Sequence, residues 1–149
     1  SLLEAAIITW TKQIKNVLKQ DPESELKAGR HPTPDVEIEF WKNKANNLNS
    51  IFEQLQGKRI RRVLRALDQA KSTYCTTFAR LCKEVFAARL EANDNMKHLH
   101  TLEDSFNKLN ANDDFPRLQE LFRPMLHILL LIWKNSKYYN TPARFVVLM

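Results

Sequence analysis

Glycine is almost missing from this chain: only Gly29 and Gly57 occur among 149 residues. A fold of many short strands needs tight turns with positive φ, and two glycines cannot build them. The same scarcity excludes a glycine-rich phosphate cradle, and no G-x-S-x-G elbow or H-E-x-x-H pair occurs either. No catalytic residue is therefore expected. Long apolar runs are also lacking. The nearest, Met125 to Trp133, falls well short of the roughly 20 residues that span a bilayer and itself carries His127. No signal peptide or initiating Met opens the chain. A soluble, intracellular chain with no membrane partner is expected.

Cysteine is as scarce as glycine. Cys75 and Cys82 are seven residues apart within a helical pattern, which separates their Cα atoms by about 10 Å, too far for a disulfide. No Cys or His stands nearby at zinc-ligand spacing, so both read as small buried hydrophobes in a reducing compartment. His98 and His100 lie two apart and point to different helix faces. His127 reads as a partly buried, hydrogen-bonded side chain, and Asp113-Asp114 as a helix cap, not a carboxylate dyad. No metal or cofactor is expected.

Leu, Lys, Glu, Gln, Arg and Ala are abundant, and these side chains lose little freedom in a helix. The fold class expected is all-α, built of antiparallel helical hairpins. Leu3, Ile7, Trp10, Ile14 and Val17 form one apolar stripe, predicting a helix over 2–20 that stops at Asp21-Pro22. The proline-rich stretch 21–34 reads as a linker. Pro34 suits a helix start, and Asp35, Glu37 and Glu39 place negative charge at its positive end, so 35–56 forms the second helix, with Trp41, Ala45, Leu48, Phe52 and Leu55 inward.

Gly57 separates it from a longer third helix, 58–91, whose seam is Ile60, Leu64, Leu67, Tyr74, Phe78, Leu81 and Val85. Asn93, Asp94 and Asn95 interrupt this pattern. Asp94 suits a cap for a fourth helix, 94–110, carrying Met96, Leu99, Leu102, Phe106 and Leu109, while one continuous bent helix is the competing reading. Asn112 to Pro116 is a firmer boundary, with Asp113 or Asp114 as cap. A fifth helix follows at 115–136, kinked near Pro124, with Leu118, Leu121, Phe122, Met125, Leu129, Ile132 and Trp133 inward. Thr141 and Pro142 begin a last helix, 142–149. Its apolar residues Phe145, Val146, Val147 and Leu148 are expected to be covered by further helices of a longer polypeptide. The whole, 1–149, reads as a single helical segment of an elongated rod.

Charge is unevenly spread. The net formal charge is +6, but residues 58–90 hold nine Lys or Arg against two Asp or Glu, whereas 1–57 hold seven against eight and 91–149 seven against seven. The third helix opens on Lys58, Arg59, Arg61, Arg62 and Arg65. Cations there oppose the helix dipole at a cost of roughly 0.3–1 kcal/mol each, so local helix stability does not account for them. One reading is a solvated face with Glu53 or the acids of 35–39 as neighbours. The other is a binding surface for an acidic partner. Nucleic acid is the weakest candidate, because no aromatic platform or recognised binding module accompanies the charge. Trp10, Trp41 and Trp133 all fit apolar stripes and are assigned to the core, and Tyr138 and Tyr139 are expected to tie down the connection that carries them.

Three segments carry a resemblance. Glu37-Ile38-Glu39-Phe40-Trp41 with Leu48, Ile51, Gln54 and Leu55 resembles an E-x-x-F-W element in the tail of dynein heavy chains. Glu91-Ala92-Asn93-Asp94-Asn95 with Leu99 and Leu102 is similar to the next element. Ile132-Trp133-Lys134-Asn135-Ser136-Lys137-Tyr138-Tyr139-Asn140-Thr141 with Arg144 resembles a third, the most specific of them. One departure is Thr33-Pro34, where the family often has Gly-Pro. The wording of Ser50 to Gln56 and of the Trp-Lys-Asn-Ser-Lys-Tyr-Tyr segment is closer to axonemal outer-arm chains than to cytoplasmic ones.

The resemblance implies a non-catalytic tail segment, with ATP and Mg²⁺ bound by a motor ring elsewhere in the polypeptide. Its implied partners are other dynein heavy chains, intermediate chains, light chains, and the doublet microtubule or docking proteins. The implied location is the axoneme of a cilium or flagellum.

Overall fold

A computed structural model describes residues 2–23, 33–109 and 114–149, apart from the side chain of Leu3. The described residues form α1 (Leu2–Lys19), α2 (Pro34–Leu55), α3 (Lys58–Gln69), α4 (Thr73–Asn107), α5 (Phe115–Asn135) and the short α6 (Pro142–Phe145), which tightens into a 3-10 turn at Val146–Leu148. The fold is all-α, as the composition implied. Most of the linker expected at 21–34, the capping role considered for Asp113 and the inward place of Leu3 lie outside the described residues.

Local chemistry explains the starts of the helices. The Thr33 hydroxyl accepts from the Val36 N–H, and Pro34 occupies the first turn of α2, where its missing N–H costs nothing. Asp114 Oδ1 accepts from the Arg117 N–H at 3.0 Å to start α5, with Pro116 in the first turn. The Ser72 hydroxyl caps α4 through the Tyr74 N–H.

The spine is α4, whose 35 residues extend about 52 Å. It packs chiefly on α2, then on α5 and α1, while α3 makes lighter contact with α1, α2 and α4. Along α4 the positions Phe78, Leu81, Val85, Ala92, Leu99 and Leu102 are buried. They meet Ile7 and Ile14 of α1, Phe40, Trp41, Ala45 and Leu48 of α2, Leu67 of α3 and Ile132 of α5 in one core. Ala45 and Ala92 are completely enclosed, which lets the helices approach closely. Leucine-sized side chains buried to this degree contribute about 1.5–3 kcal/mol each. Trp10 stacks on Phe78 with ring centroids 5.4 Å apart, and Trp133 meets Phe145 edge-on at 5.2 Å.

Several boundaries and orientations differ from the sequence expectation. The break expected near 93–95 lies instead at Ala70–Ser72, where Lys71 takes a left-handed φ of 56° and the Ser72 N–H reaches back to the Leu67 carbonyl. A left-handed residue just past a helix satisfies its last carbonyls and stops it, and a capping serine restarts the chain in a new direction. Tyr74 leaves the expected seam and is 38% exposed as a result. The helix continues through Asn93–Asn95 because these residues serve tertiary contacts: Asn95 is 1% exposed, and the Asn93 side chain bonds to Asn49 of α2. Asp94 is exposed in mid-helix and caps nothing.

Helix α5 joins the core through Met125, Ile128, Leu129 and Ile132. His127 falls on the opposite side and is exposed, not partly buried, and the expected inward residue Phe122 is half-exposed. The expected terminal helix 142–149 is α6 plus the 3-10 turn. Its apolar residues are partly accommodated already, with Leu148 buried and Phe145 against Trp133, while Val146 stays exposed. Cys75 and Cys82 are free and only half-buried, and the Cys75 thiol lies against the Leu64 carbonyl.

Candidate functional site

Side chains from the three motif segments meet at the end of the bundle where α1 finishes, α2 starts and α5 gives way to α6. The Trp41 indole N–H donates to the Tyr139 hydroxyl at 2.7 Å, and that hydroxyl donates to Glu37 Oε2 at 3.1 Å. All three side chains are buried. The chain of donors is consistent at every step: indole to phenol, phenol to carboxyl. Tyr139 is also fixed through its backbone, since its N–H donates to the buried Ser136 hydroxyl. The Tyr138 N–H donates to Glu91 Oε1 at 2.8 Å, so the second segment holds the third in place. The Asn140 side chain donates to the Trp133 carbonyl and closes the turn after α5.

Aromatic edges complete the junction. Trp41 sits edge-on to Phe40 at 5.1 Å and to Tyr138 at 5.5 Å, and Tyr138 is nearly perpendicular to Tyr139 at 4.9 Å. Arg144 spreads its guanidinium 4.4 Å above the Tyr138 ring, donates to the Tyr138 carbonyl and pairs with Glu23 at 3.0 Å.

Burial shapes the electrostatics. Desolvation pushes the Glu37 carboxyl up to about 7 against the pull of the Tyr139 hydrogen bond, with Asp21 and Glu23 adding like charge. Both Tyr138 and Tyr139 hydroxyls are held neutral, first by burial and then by Glu37. Lys44 is buried as well, and desolvation lowers its pKa. Its ammonium donates to the Leu18 and Gln20 carbonyls at 3.3 and 2.6 Å, satisfying the exposed pole of α1, and lies 5.5 Å from the Trp41 ring. A 90 Å³ cavity bordered by Glu23, Glu37, Tyr138 and Arg144 is the local void. What this arrangement does chemically is hold four chain segments together through hydrogen bonds. Glu37, the carboxyl among them with a raised pKa, accepts from the Tyr139 phenol.

Lys44, Asn49, Arg89 and Asn95 were not anticipated as part of the polar core. Arg89 donates to Asn49 at 2.7 Å and covers the Phe52 ring at 4.0 Å, beside the Asn49–Asn93 pair. The Asn95 Nδ2 has no hydrogen-bond partner among the described residues. A signal did exist: Lys44 keeps core spacing with Glu37, Trp41 and Leu48, and Asn95 with Ala92, Leu99 and Leu102. Glu37 stands in the first turn of α2 as expected, and there its side chain turns inward to Tyr139.

The five cations of α3 lie elsewhere. Lys58, Arg59, Arg61, Arg62 and Arg65 are all exposed, while Ile60, Val63, Leu64 and the buried Leu67 seat the helix on the core. None forms an ion pair with a described residue, so Glu53 and the acids of 35–39 do not neutralise them by direct contact. His100 pairs with Asp104 at 3.6 Å, and among the described residues no three metal-ligating side chains come together. Among the described residues no helix is long and apolar enough to cross a membrane.

Comparison with known proteins now fits this arrangement. Residues 1–149 match the family described as dynein heavy chain, N-terminal region 1. The chain is 55% identical over 149 residues to a "Dynein beta chain, flagellar outer arm" of Chlamydomonas reinhardtii. It is 42% identical over 150 residues to a "Dynein beta chain, ciliary" of Heliocidaris crassispina, and 37% identical over 147 residues to "Dynein axonemal heavy chain 9" of Homo sapiens. Each match covers 99% of this chain and 3% of the relative, so the chain spans a small fraction of the proteins it resembles. With the E-x-x-F-W, E-A-N-D-N and Trp-Lys-Asn-Ser-Lys-Tyr-Tyr-Asn segments joined in one junction, this chain belongs to the dynein heavy chain N-terminal region 1 family.

Proposed function

We propose that this chain is a non-catalytic tail segment of an axonemal dynein heavy chain, serving assembly of the motor complex and its force-bearing attachment to the doublet microtubule. The observation that carries this reading is the junction of Glu37, Trp41, Glu91, Ser136, Tyr138 and Tyr139, in which the motif segments bond to one another. Buried polar networks of this kind specify one arrangement of helices and stiffen it. That is what a load-bearing strut requires. The names of the relatives, flagellar outer arm, ciliary and axonemal, support the location in a cilium or flagellum.

Other heavy chains, intermediate chains, light chains and docking proteins are the partners this role calls for. ATP and Mg²⁺ belong to a motor ring outside this segment. The test is a full-length heavy chain carrying Trp41→Ala. Incorporation of intermediate and light chains and binding to the doublet are expected to fall, while microtubule-stimulated ATP hydrolysis by the motor persists. Normal assembly with the junction disrupted, or ATP turnover by the 149-residue chain alone, would overturn the proposal.

A further inference from the structure

The tail role makes no use of the basic face of α3. Lys58, Arg61, Arg62 and Arg65 follow one another at helical steps on the side opposite Ile60, Val63, Leu64 and Leu67. The apolar side holds the helix against the core, so the cations are presented from a fixed support. They stand near the positive pole of α3, which has no acid in its first turn and, with Gly57 at the cap, no side-chain acceptor for its free N–H groups. Three other arginines of the chain are engaged: Arg89 with Asn49, Arg117 with Glu120, Arg144 with Glu23. The five on α3 make no ion pair among the described residues, and Asp68, the one acid of the helix, pairs with none of them. Like charges stacked at three- and four-residue steps weaken a helix, so the fold gains nothing from the cluster.

We propose that this face of α3 is a docking surface for an acidic peptide segment of a protein partner. The chemistry selects the occupant. Four of the five cations are arginines, whose planar forks grip carboxylates bidentately. From Lys58 to Arg65 the stripe is about 10 Å long, which matches carboxylates one and two helical turns apart on a partner helix or a short run of Asp and Glu. Nucleic acid fits less well. A strip of about this length reaches only a few phosphates, and α3 carries no aromatic side chain on which a base can stack. A helical scaffold of any function could use such a surface, so failure here leaves the tail reading standing.

The probe is a short labelled oligo-glutamate peptide, with oligo-glutamine of equal length as its neutral control. Binding to the full chain is measured against the variant Arg61→Gln/Arg62→Gln/Arg65→Gln across a salt series, with helicity checked by circular dichroism. Oligo-glutamate is expected to bind and oligo-glutamine not to. The triple variant is expected to lose about ten-fold in affinity, as three exposed charge pairs imply. An Arg→Lys triple, which keeps the charge but not the fork, is expected to lie between. Arg117→Gln/Arg123→Gln, which removes cations from α5, leaves binding unchanged. In the assembled heavy-chain complex, a photo-cross-linker at the exposed Ala66 is expected to capture an acid-rich segment. Binding that survives the triple Gln substitution overturns the proposal, as does a captured segment with no acidic excess. Tighter binding of RNA or duplex DNA of matched charge through the same arginines overturns it in favour of nucleic acid.

Discussion

Replacing Glu37 by Gln gives the sharpest test of the buried junction. The Glu37 carboxyl is held at about 7 in the fold against 4.5 when free, chiefly because burial penalises its charged form. A carboxyl whose folded pKa is raised binds its proton more tightly in the native state than in the unfolded chain. Its contribution to stability is therefore fully present below pH 4.5 and is lost as pH rises through about 7. At 1.36 kcal/mol per pH unit, the loss across that window is about 3 kcal/mol at most. Glu37→Gln removes the titration while keeping an oxygen that accepts from the Tyr139 hydroxyl. The stability difference between variant and parent is expected to move in favour of the variant by about 2–3 kcal/mol between pH 4.5 and about pH 8. Urea unfolding followed by tryptophan fluorescence across this range measures both chains. Only the difference between the two chains is read, which removes the pH dependence they share. Parallel curves would refute the reasoning, because they would mean that Glu37 ionises in the fold as freely as in water.

Tyr139→Phe strips the hydroxyl that accepts from Trp41 and donates to Glu37. A loss of about 1–3 kcal/mol is expected from the two orphaned groups, and a carboxyl NMR titration should place Glu37 higher still, since its helping hydrogen bond is gone. Lys44→Met leaves the Leu18 and Gln20 carbonyls without their donor. Amide exchange in the last turn of α1 is expected to quicken while the interior of α4 keeps its relative protection. Lys71→Gly relieves the left-handed backbone at φ 56° and is expected to raise stability by about 0.5–1 kcal/mol in chemical denaturation; a destabilised variant would mean that the Lys71 side chain, not the backbone, matters at the turn.

The helical class and much of the core were readable from local patterns. Ile7, Ile14, Trp41, Ala45, Leu48, Phe78, Leu81, Val85, Leu99 and Ile132 recur at helical steps and are all buried. Thr33-Pro34, Gly57 and Asp114 mark helix starts because capping and proline chemistry act within a few residues. The three motif segments were visible too, as was the tie made by a tyrosine hydroxyl after α5. The stop at Lys71 was not, since no glycine or proline announces it and its left-handed backbone depends on how α3 turns onto α4.

Composition and spacing by themselves determined that this chain is helical, where its apolar stripes run and which face of α3 carries the charge. Those properties follow from side-chain entropy and from a 3.6-residue period, both of which act along a few turns of chain. Only tertiary structure decided the fate of the polar groups. Glu37 turns inward because Tyr139, 102 residues away, meets it there; Lys44 is buried because two carbonyls at the end of α1 receive it; and Asn93 stays helical because Asn49 faces it across 44 residues. A polar side chain goes into the interior only where a distant partner replaces its water, and no stretch of sequence contains that partner.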